Sequence, residues 1–300
     1  MEMKQLEYFL AVCEEMHFTR AADKVRISQP SLSQQIRNLE YEVGTPLFDR
    51  IGKKIALTEA GKILKHHSQN IFYELNQSKN AIDELHGLER GALSVGCLYT
   101  VESYLISPAV IRFHKEYPNI RLSILGLPTS QIREGLLMNQ LDLGILFLPP
   151  EDPELDSIPL FMEELCLIAP LEPAYEAWQD GIPMKQLAEL PLVLLPDNFF
   201  IRQLLNDYSE SLGFTIKPFL EMTTIEALVH MVESGMGCTV LPRSLMEHLQ
   251  KDSVRVLPII NPSPTRRIGV VFRKEKYMCA ATKRFIRELQ ENAAHFKESV

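Results

Sequence analysis

Three hundred residues, 46% of them apolar and 23% charged, exceed the needs of one small module and suit two or three domains, each able to bury a core. The balance of 31 Lys and Arg against 39 Asp and Glu gives a net charge of −8, which excludes nucleic-acid binding by overall positive charge and leaves only a local basic patch. No apolar run approaches the roughly 20 residues needed to cross a bilayer and no signal peptide is recognisable, so a cytoplasmic location with no membrane contact is expected.

Leu6, Phe9, Leu10 and Cys13 recur at helical spacing near the N-terminus and form one amphipathic helix. Next comes FTRAADKVRISQPSLSQQIRNL, Phe18 to Leu39, where two short helices meet at a tight turn. Ala21, Ala22 and Val25 supply the inner side of the first, Ile27 fills the turn, and Leu32, Ile36 and Leu39 fall at i, i+4 and i+7 along the second. Ser28 is placed to cap the second helix. Pro30, in its first turn, sacrifices no hydrogen bond, because an N–H there has no intrahelical acceptor. The spacing predicts a helix-turn-helix whose outer side carries Gln29, Ser31, Ser33, Gln34 and Arg37. Gln reaches adenine edges, Ser bases or phosphates, and Arg guanine or phosphate, so this face suits a major groove. An ordinary solvated helix face has the same polarity, and on these residues alone both readings stay open. The following LFDRIGKKIALTEAG has two apolar runs about Ile51, Gly52, Lys53 and Lys54, the pattern of a two-stranded wing with Arg50, Lys53 and Lys54 at its tip. Over the first sixty residues eight basic positions nearly balance nine acidic ones. The acids gather beside the first helix and from Glu40 to Asp49, leaving Arg20, Arg37, Lys53 and Lys54 to face phosphates.

The segment LEYFLAVCEEMHFTRAADKVRISQPSLSQQIRNLEYEVGTPLFDRIGKKIALTEAG resembles the N-terminal part of LysR-type bacterial transcriptional regulators, and the resemblance continues almost to the C-terminus. It implies an α/β protein with an N-terminal winged helix-turn-helix over residues 1–58 and a linker, dimerisation helix and hinge over 59–90. Residues 91–300 would then form a two-lobed, periplasmic-binding-protein-like effector domain, with lobe I at about 91–163 and 266–300 and lobe II at about 164–265. The partner it implies is double-stranded DNA with an inverted-repeat operator, contacted by Thr19, Arg20, Ser28, Gln29, Pro30, Ser31, Ser33, Gln34, Arg37, Arg50, Lys53 and Lys54. Also implied are assembly as a dimer or tetramer, a small-molecule effector, RNA polymerase as a partner, and activation of transcription with repression of the regulator's own gene.

From Thr58 to Leu85 the chain has no proline and carries a heptad stripe of Leu64, Ile71, Ser78 and Leu85, with Ser68, Leu75 and Ile82 in the alternate seam. A helix there is about 40 Å long and is expected to pair with a second copy rather than pack only on its own domain. Gly87 and Gly91 mark a hinge. His66 and His67 are adjacent, not four apart, and make a poor metal pair.

Beyond the hinge, strands and helices alternate. ALSVGCL, RLSILGL and LDLGILFL read as strands, with helices at about Val101 to Tyr117 and through Ile132, Leu136 and Leu137, as parallel crossovers require. A second unit begins near Glu164 with LCLIAP, LPLVLLP, a helix near Arg202 to Leu212, the strand KPFLEM, a helix from Ile225 to Ser234, and GCTVLP. IGVVFRK and a last helix, Ala280 to Ala293, return to the first.

Ligands of open parallel sheets bind beyond the carboxyl ends of strands, near helix N-termini. Here those points are Leu98, Tyr99 and Thr100; Pro128, Thr129 and Ser130; Phe199, Phe200, Ile201 and Arg202; and Thr223 and Thr224. Their hydroxyls favour a small anion, with Arg202 as the nearby cation for a carboxylate, although Phe199 and Phe200 leave the polarity open and each hydroxyl also suits a helix cap.

Five cysteines, Cys13, Cys97, Cys166, Cys238 and Cys279, have no C-x-x-C pairing, which argues against a disulfide framework or a zinc site. Buried small hydrophobes is one reading of them and a redox-sensing thiol the other. No metal or cofactor is expected. G-x-S-x-G, H-E-x-x-H, P-loop and G-x-G-x-x-G motifs are missing, and GMGCTVLP leads into a strand instead of opening a helix, so no catalytic residue is assigned. The competing architecture is an α/β solute-binding or enzyme-like protein whose helix-turn-helix serves assembly.

Overall fold

The computed structural model describes residues 1–51, 54–84, 91–150, 152–274 and 276–296, with backbone only at 50, 51, 54, 77, 80, 81, 83 and 84. They divide into two compact units, Met1–Ile82 with Met138–Gln140, and Asp83–Leu137 with Leu141–Val300.

In the first unit, α1 (Met3–Glu15), α2 (Phe18–Lys24) and α3 (Gln29–Val43) enclose a core of Leu6, Phe9, Val12, Ala21, Ala22, Leu32, Ile36 and Leu39. Leu10, Val25 and Ile27 pack at its margin, partly exposed. Burying each large apolar side chain contributes about 1.5–3 kcal/mol. The helix limits follow from local chemistry. His17 accepts the Arg20 N–H at the start of α2, and Ser28 Oγ accepts the Ser31 N–H at 3.3 Å at the start of α3. Gly44 ends α3 at φ +80°, a left-handed conformation that costs a glycine little. The wing is the antiparallel pair β1 (Phe48–Ile51) and β2 (Lys54–Leu57), with Phe48 opposite Leu57. A single 26-residue helix, α4 (Glu59–Glu84), follows and packs its first turns on the same core through Ala60, Leu64 and Phe72. Further along, Ile71, Leu75 and Ile82 stay 38%, 52% and 59% exposed as an apolar stripe. Ser68, expected in that seam, is buried instead. Leu85 and Gly87 lie outside the described residues.

The second unit has two cores. The first contains β3 (Gly91–Cys97), β4 (Ile120–Gly126) and β5 (Leu143–Leu148), where β3 pairs in parallel with both β4 and β5. The helices α5 (Ser107–Glu116) and α6 (Thr129–Leu137) make the crossovers, and α10 (Ala280–Ala293) packs beside α5. The expected helix from Val101 to Tyr117 divides at its start into a π-helical turn, Glu102–Ile106, and then α5. The second core contains β7 (Ile182–Pro183), β8 (Val193–Leu194), β9 (Leu220–Glu221), β10 (Thr239–Pro242) and β11 (Val254–Ile260). Around them lie α7 (Phe200–Ser211), α8 (Ile225–Glu233) and α9 (Arg243–Leu249). LPLVLLP and KPFLEM yield only two strand residues each.

Two long strands join the cores. β6 (Leu155–Pro170) runs 16 residues, and β12 (Thr265–Arg273) pairs antiparallel with its first half and with β5. Along β6 the core changes between Phe161 and Leu165, and on the way back it changes between Ile259 and Ile268. The register slips at Ile268/Gly269, next to Pro159, whose missing N–H a bulge tolerates.

Candidate nucleic-acid interface and ligand cavity

On α3 the residues Gln29, Pro30, Ser31, Gln34 and Arg37 are exposed, with Ser28 exposed at the cap and Thr19 and Arg20 exposed on α2. Arg37 Nη2 donates to Gln34 Oε1 at 2.7 Å, and Gln34 Nε2 donates to Asn38 Oδ1 at 2.9 Å. This ladder holds three polar ends upright on one face without committing any of them to the core. Asn38 was not singled out from the sequence, although it lies four residues after Gln34. Arg20 donates to the Glu15 carbonyl at 2.6 Å and pairs with its carboxylate at 3.3 Å, while its side chain remains 63% exposed. Ser33 corrects the sequence expectation. It is 8% exposed, adjoining Leu32 and one turn before Ile36, and its hydroxyl accepts from Gln29 Nε2 at 2.8 Å. Position 33 therefore steadies Gln29 from the flank of the core instead of facing outward. Arg50 and Lys54 lie on the wing strands with only their backbone described, and Lys53 lies outside the described residues.

In the second unit a cavity of about 120 Å³ opens between the two cores, lined by Leu98, Tyr99, Thr100, Pro128, Thr129, Phe199, Phe200 and Ile201 and by Leu127, Phe147, Leu195 and Asn198. The first eight come from three of the four strand ends picked out in the sequence. Phe147 of β5 stacks on Phe200 of α7 with ring centroids 4.1 Å apart and planes at 17°, and Tyr99 meets Phe199 at 6.1 Å. Each pair brings together one residue from either side of the cavity. Thr129 Oγ1 is enclosed here without a hydrogen-bond partner among the described residues. A neighbouring depression of about 240 Å³ shares Thr129, Phe147 and Phe200 and adds Ser130, Gln203, Arg133 and Arg266. The guanidinium of Arg266 lies 5.7 Å from the Phe200 ring centroid.

Arg202 is elsewhere. It follows Phe200 by two residues, which on an α-helix turns it about 200° away. There it is 6% exposed, paired with Asp197 at 3.3 Å and Glu221 at 3.2 Å and donating to the Leu195 carbonyl and Asn206. Its charge is spent on holding α7 against β9, and the arginines of the neighbouring depression, Arg133 and Arg266, lie outside the strand ends picked out in the sequence. Thr223 and Thr224 are exposed away from the cavity, and Thr224 Oγ1 caps α8 by accepting the Ala227 N–H at 3.4 Å.

All five cysteines are buried. Burial pushes the thiols of Cys13 and Cys97 up to about 12 and that of Cys238 up to about 11, and raises Cys166 further still. Among the described residues no three His, Cys, Asp or Glu gather to hold a metal ion, and no helix is long and apolar enough to cross a membrane.

A winged three-helix unit with a polar, outward-facing third helix, joined in one chain to a two-lobed α/β domain with a cavity between its lobes, defines a DNA-binding transcriptional regulator. Residues 3–62 match the family model for bacterial regulatory helix-turn-helix proteins of the lysR family, and residues 86–294 match the LysR substrate binding domain. The chain belongs to the LysR family of bacterial transcriptional regulators. It is 33% identical over 274 residues to the DNA-binding transcriptional dual regulator OxyR of Escherichia coli K12, covering 91% of this chain and 90% of that one. A Synechocystis protein named "Probable RuBisCO transcriptional regulator" is 32% identical over 295 residues, covering 96% and 85%. Among solved structures, a full-length OxyR point variant from Pseudomonas aeruginosa superposes with TM-score 0.74 at 27% identity, covering 98% of this chain and 94% of that chain.

Proposed function

We propose that the chain acts as a dimer or tetramer that binds an inverted-repeat operator in the cytoplasm and is switched by a small molecule held between the two lobes, with no catalytic step of its own. The observation that carries this reading is the cavity itself: two lobes with separate cores meet over aromatic pairs, Phe147 with Phe200 and Tyr99 with Phe199, that an inserted ligand must part. A ligand that binds the parted arrangement better shifts the population toward it, and one that binds both equally switches nothing. The exposed Ile71, Leu75 and Ile82 stripe of α4 supports pairing of two copies, which places two recognition helices in major grooves one turn apart, about 34 Å.

Thr19, Arg20, Arg50, Lys53 and Lys54 then contact phosphates, while Gln29, Pro30, Ser31, Gln34 and Arg37 read base edges, with Ser28 and Ser33 holding the start of the helix. Several relatives are named hydrogen peroxide-inducible genes activators, which supports activation as the output; the proposed route is recruitment of RNA polymerase. The inducer in those names does not carry over with them. Cys13, Cys97, Cys166 and Cys238 are buried thiols with raised proton affinity and hence poor peroxide nucleophiles, which supports the cavity as the sensing site.

Binding of the purified full-length chain to the DNA upstream of its own gene, measured by anisotropy across a salt series with nonspecific competitor, tests the reading. Retained binding to an inverted repeat that weakens steeply with salt is expected. Binding lost to competitor at every salt concentration would instead favour an α/β ligand-binding protein whose helix-turn-helix serves assembly.

A further inference from the structure

We infer that Asn38 is a positioning residue for DNA reading: it fixes the amide of Gln34 so that one acceptor and one donor of that amide meet an adenine edge in the major groove. This rests on α3 being the helix that reads the operator, and it adds which base Gln34 selects and which side chain makes it selective.

Helical geometry defines the face. At about 100° per residue, Pro30, Ser31, Arg37, Asn38 and Tyr41 all fall within about 60° of Gln34, and each of them is exposed. None is acidic. The two acids of α3 are engaged elsewhere: Glu40 accepts the Leu47 and Phe48 N–H groups at 2.8 and 3.3 Å, and Glu42 pairs with the N-terminal amine of Met1. Arg37 bonds to Gln34 and makes no ion pair with a described acid, so its charge stays available to DNA.

Arg37 sets the direction of the ladder. A guanidinium can only donate, so the Gln34 atom that it meets at 2.7 Å is the carbonyl oxygen, and Nε2 is left to donate to Asn38 Oδ1 at 2.9 Å. Reversing the Gln34 amide would set two donors together at Arg37 and two acceptors together at Asn38. Each amide atom keeps half of its capacity, one lone pair on Oε1 and one N–H on Nε2. An adenine edge offers the complement, an N6 donor beside an N7 acceptor. Guanine presents two acceptors there, cytosine a donor, and thymine an acceptor with a methyl group. Adenine alone uses both of the groups that the ladder leaves open. Without Asn38 the amide is held at one end only, and a side chain that must still be ordered on binding gives up part of the contact.

Selection by the full-length protein from a pool of inverted repeats with randomised half-sites, followed by sequencing of the bound DNA, tests this. The wild-type chain should prefer adenine at one position of each half-site by about 5- to 150-fold, the range of one good bidentate contact, and Gln34→Ala should erase the preference there. Asn38→Ala should weaken that same preference about 2- to 12-fold, the effect of freeing one side chain. Its other positions, salt dependence and thermal midpoint should stay as in the wild type, because Asn38 is exposed and uncharged. Asn38→Asp keeps an acceptor for Gln34 Nε2, so it should restore the preference while its negative charge weakens binding to every sequence. An unchanged profile in Asn38→Ala overturns the positioning role. So does a change confined to a position that Gln34→Ala leaves alone, since Asn38 would then read a base itself. If Gln34→Ala loses no adenine while the wild-type chain still selects an inverted repeat, the assignment of Gln34 falls and α3 stands as the operator-reading helix. If no repeat is selected at all, both fall.

Discussion

Glu163 is the buried acid whose removal has the clearest expected signature. It sits on β6 where the core changes from one lobe to the other, 2% exposed, accepting hydrogen bonds from Tyr104 of the π-helical turn and from Ser244 of α9 at 2.9 Å. Burial outweighs those two donors and pushes its carboxyl from 4.5 up to about 7, with Glu247 adding a smaller push in the same direction. Because the folded-state value lies above the unfolded one, the native protein holds a proton that the unfolded chain has released throughout the window from about pH 4.5 to about pH 7. Stability from this group is therefore complete below pH 4.5 and is lost as pH rises through 7. At about 1.4 kcal/mol per pH unit over some 2.5 units, the loss is ~3 kcal/mol. Glu163→Gln cannot ionise, and its amide still accepts one hydroxyl hydrogen while donating to the other. Urea unfolding of both proteins at pH 5, 6, 7 and 8 should show the stability difference changing by about 2–3 kcal/mol in favour of the variant as pH rises. Parallel pH profiles for the two proteins would refute the reasoning, because they would mean that Glu163 does not change its protonation between the folded and unfolded states in this range.

Gly61→Ala is expected to destabilise the winged unit although alanine favours helices, because its Cβ would stand 2.1 Å from the Leu47 carbonyl oxygen and 2.8 Å from Leu57 Cδ2. Displacing α4 from the wing should cost about 1–3 kcal/mol, and an unchanged thermal midpoint would contradict it. Cys13, Cys97 and Cys238 should be silent in the native state. With these thiols near 11 to 12, about one in 10⁴ to 10⁵ is ionised at pH 7, so hydrogen peroxide at sub-millimolar concentration should leave their peptides unmodified in a mass-spectrometric map and a thiol reagent should label them only in denaturant. Oxidation of any of these three within seconds in the folded protein would reopen redox sensing.

What could be read in advance was whatever depends on local periodicity. Leu32, Ile36 and Leu39, the Ser28 cap and the wing strands follow from spacing alone, and so do the strand ends at Leu98, Pro128 and Phe199 that meet at the cavity. The failures share a different origin. Ser33 looks outward by residue type, but its angular position beside Leu32 and Ile36 sets its burial. Arg202 is close to Phe200 in sequence, but two helical positions carry it to the side away from the cavity. Arg133 and Arg266 come from α6 and β12, more than a hundred residues apart, and nothing short-range associates them. Pro159 and the pair Glu163–Glu164 interrupt the apolar run, so β6 does not look like one 16-residue strand until β12 and its bulge are in place beside it.

The return of the chain to its first lobe sets a timetable for synthesis. β5 emerges early, yet its partner β12 follows 117 residues later, about 6–23 s at 5–20 residues per second. Until then β5 is an unpaired edge, and the carbonyls of Tyr104 and Leu105 in the π-helical turn await the Asn292 side chain of α10, which donates to them at 3.1 and 2.8 Å. The lobe inserted between these two stretches brings its own strands out together and can close while the first is still waiting. A chain broken off after β11 would carry one finished lobe and one open sheet, a form that proteases and chaperones recognise, so the first lobe is complete only in a polypeptide translated through α10.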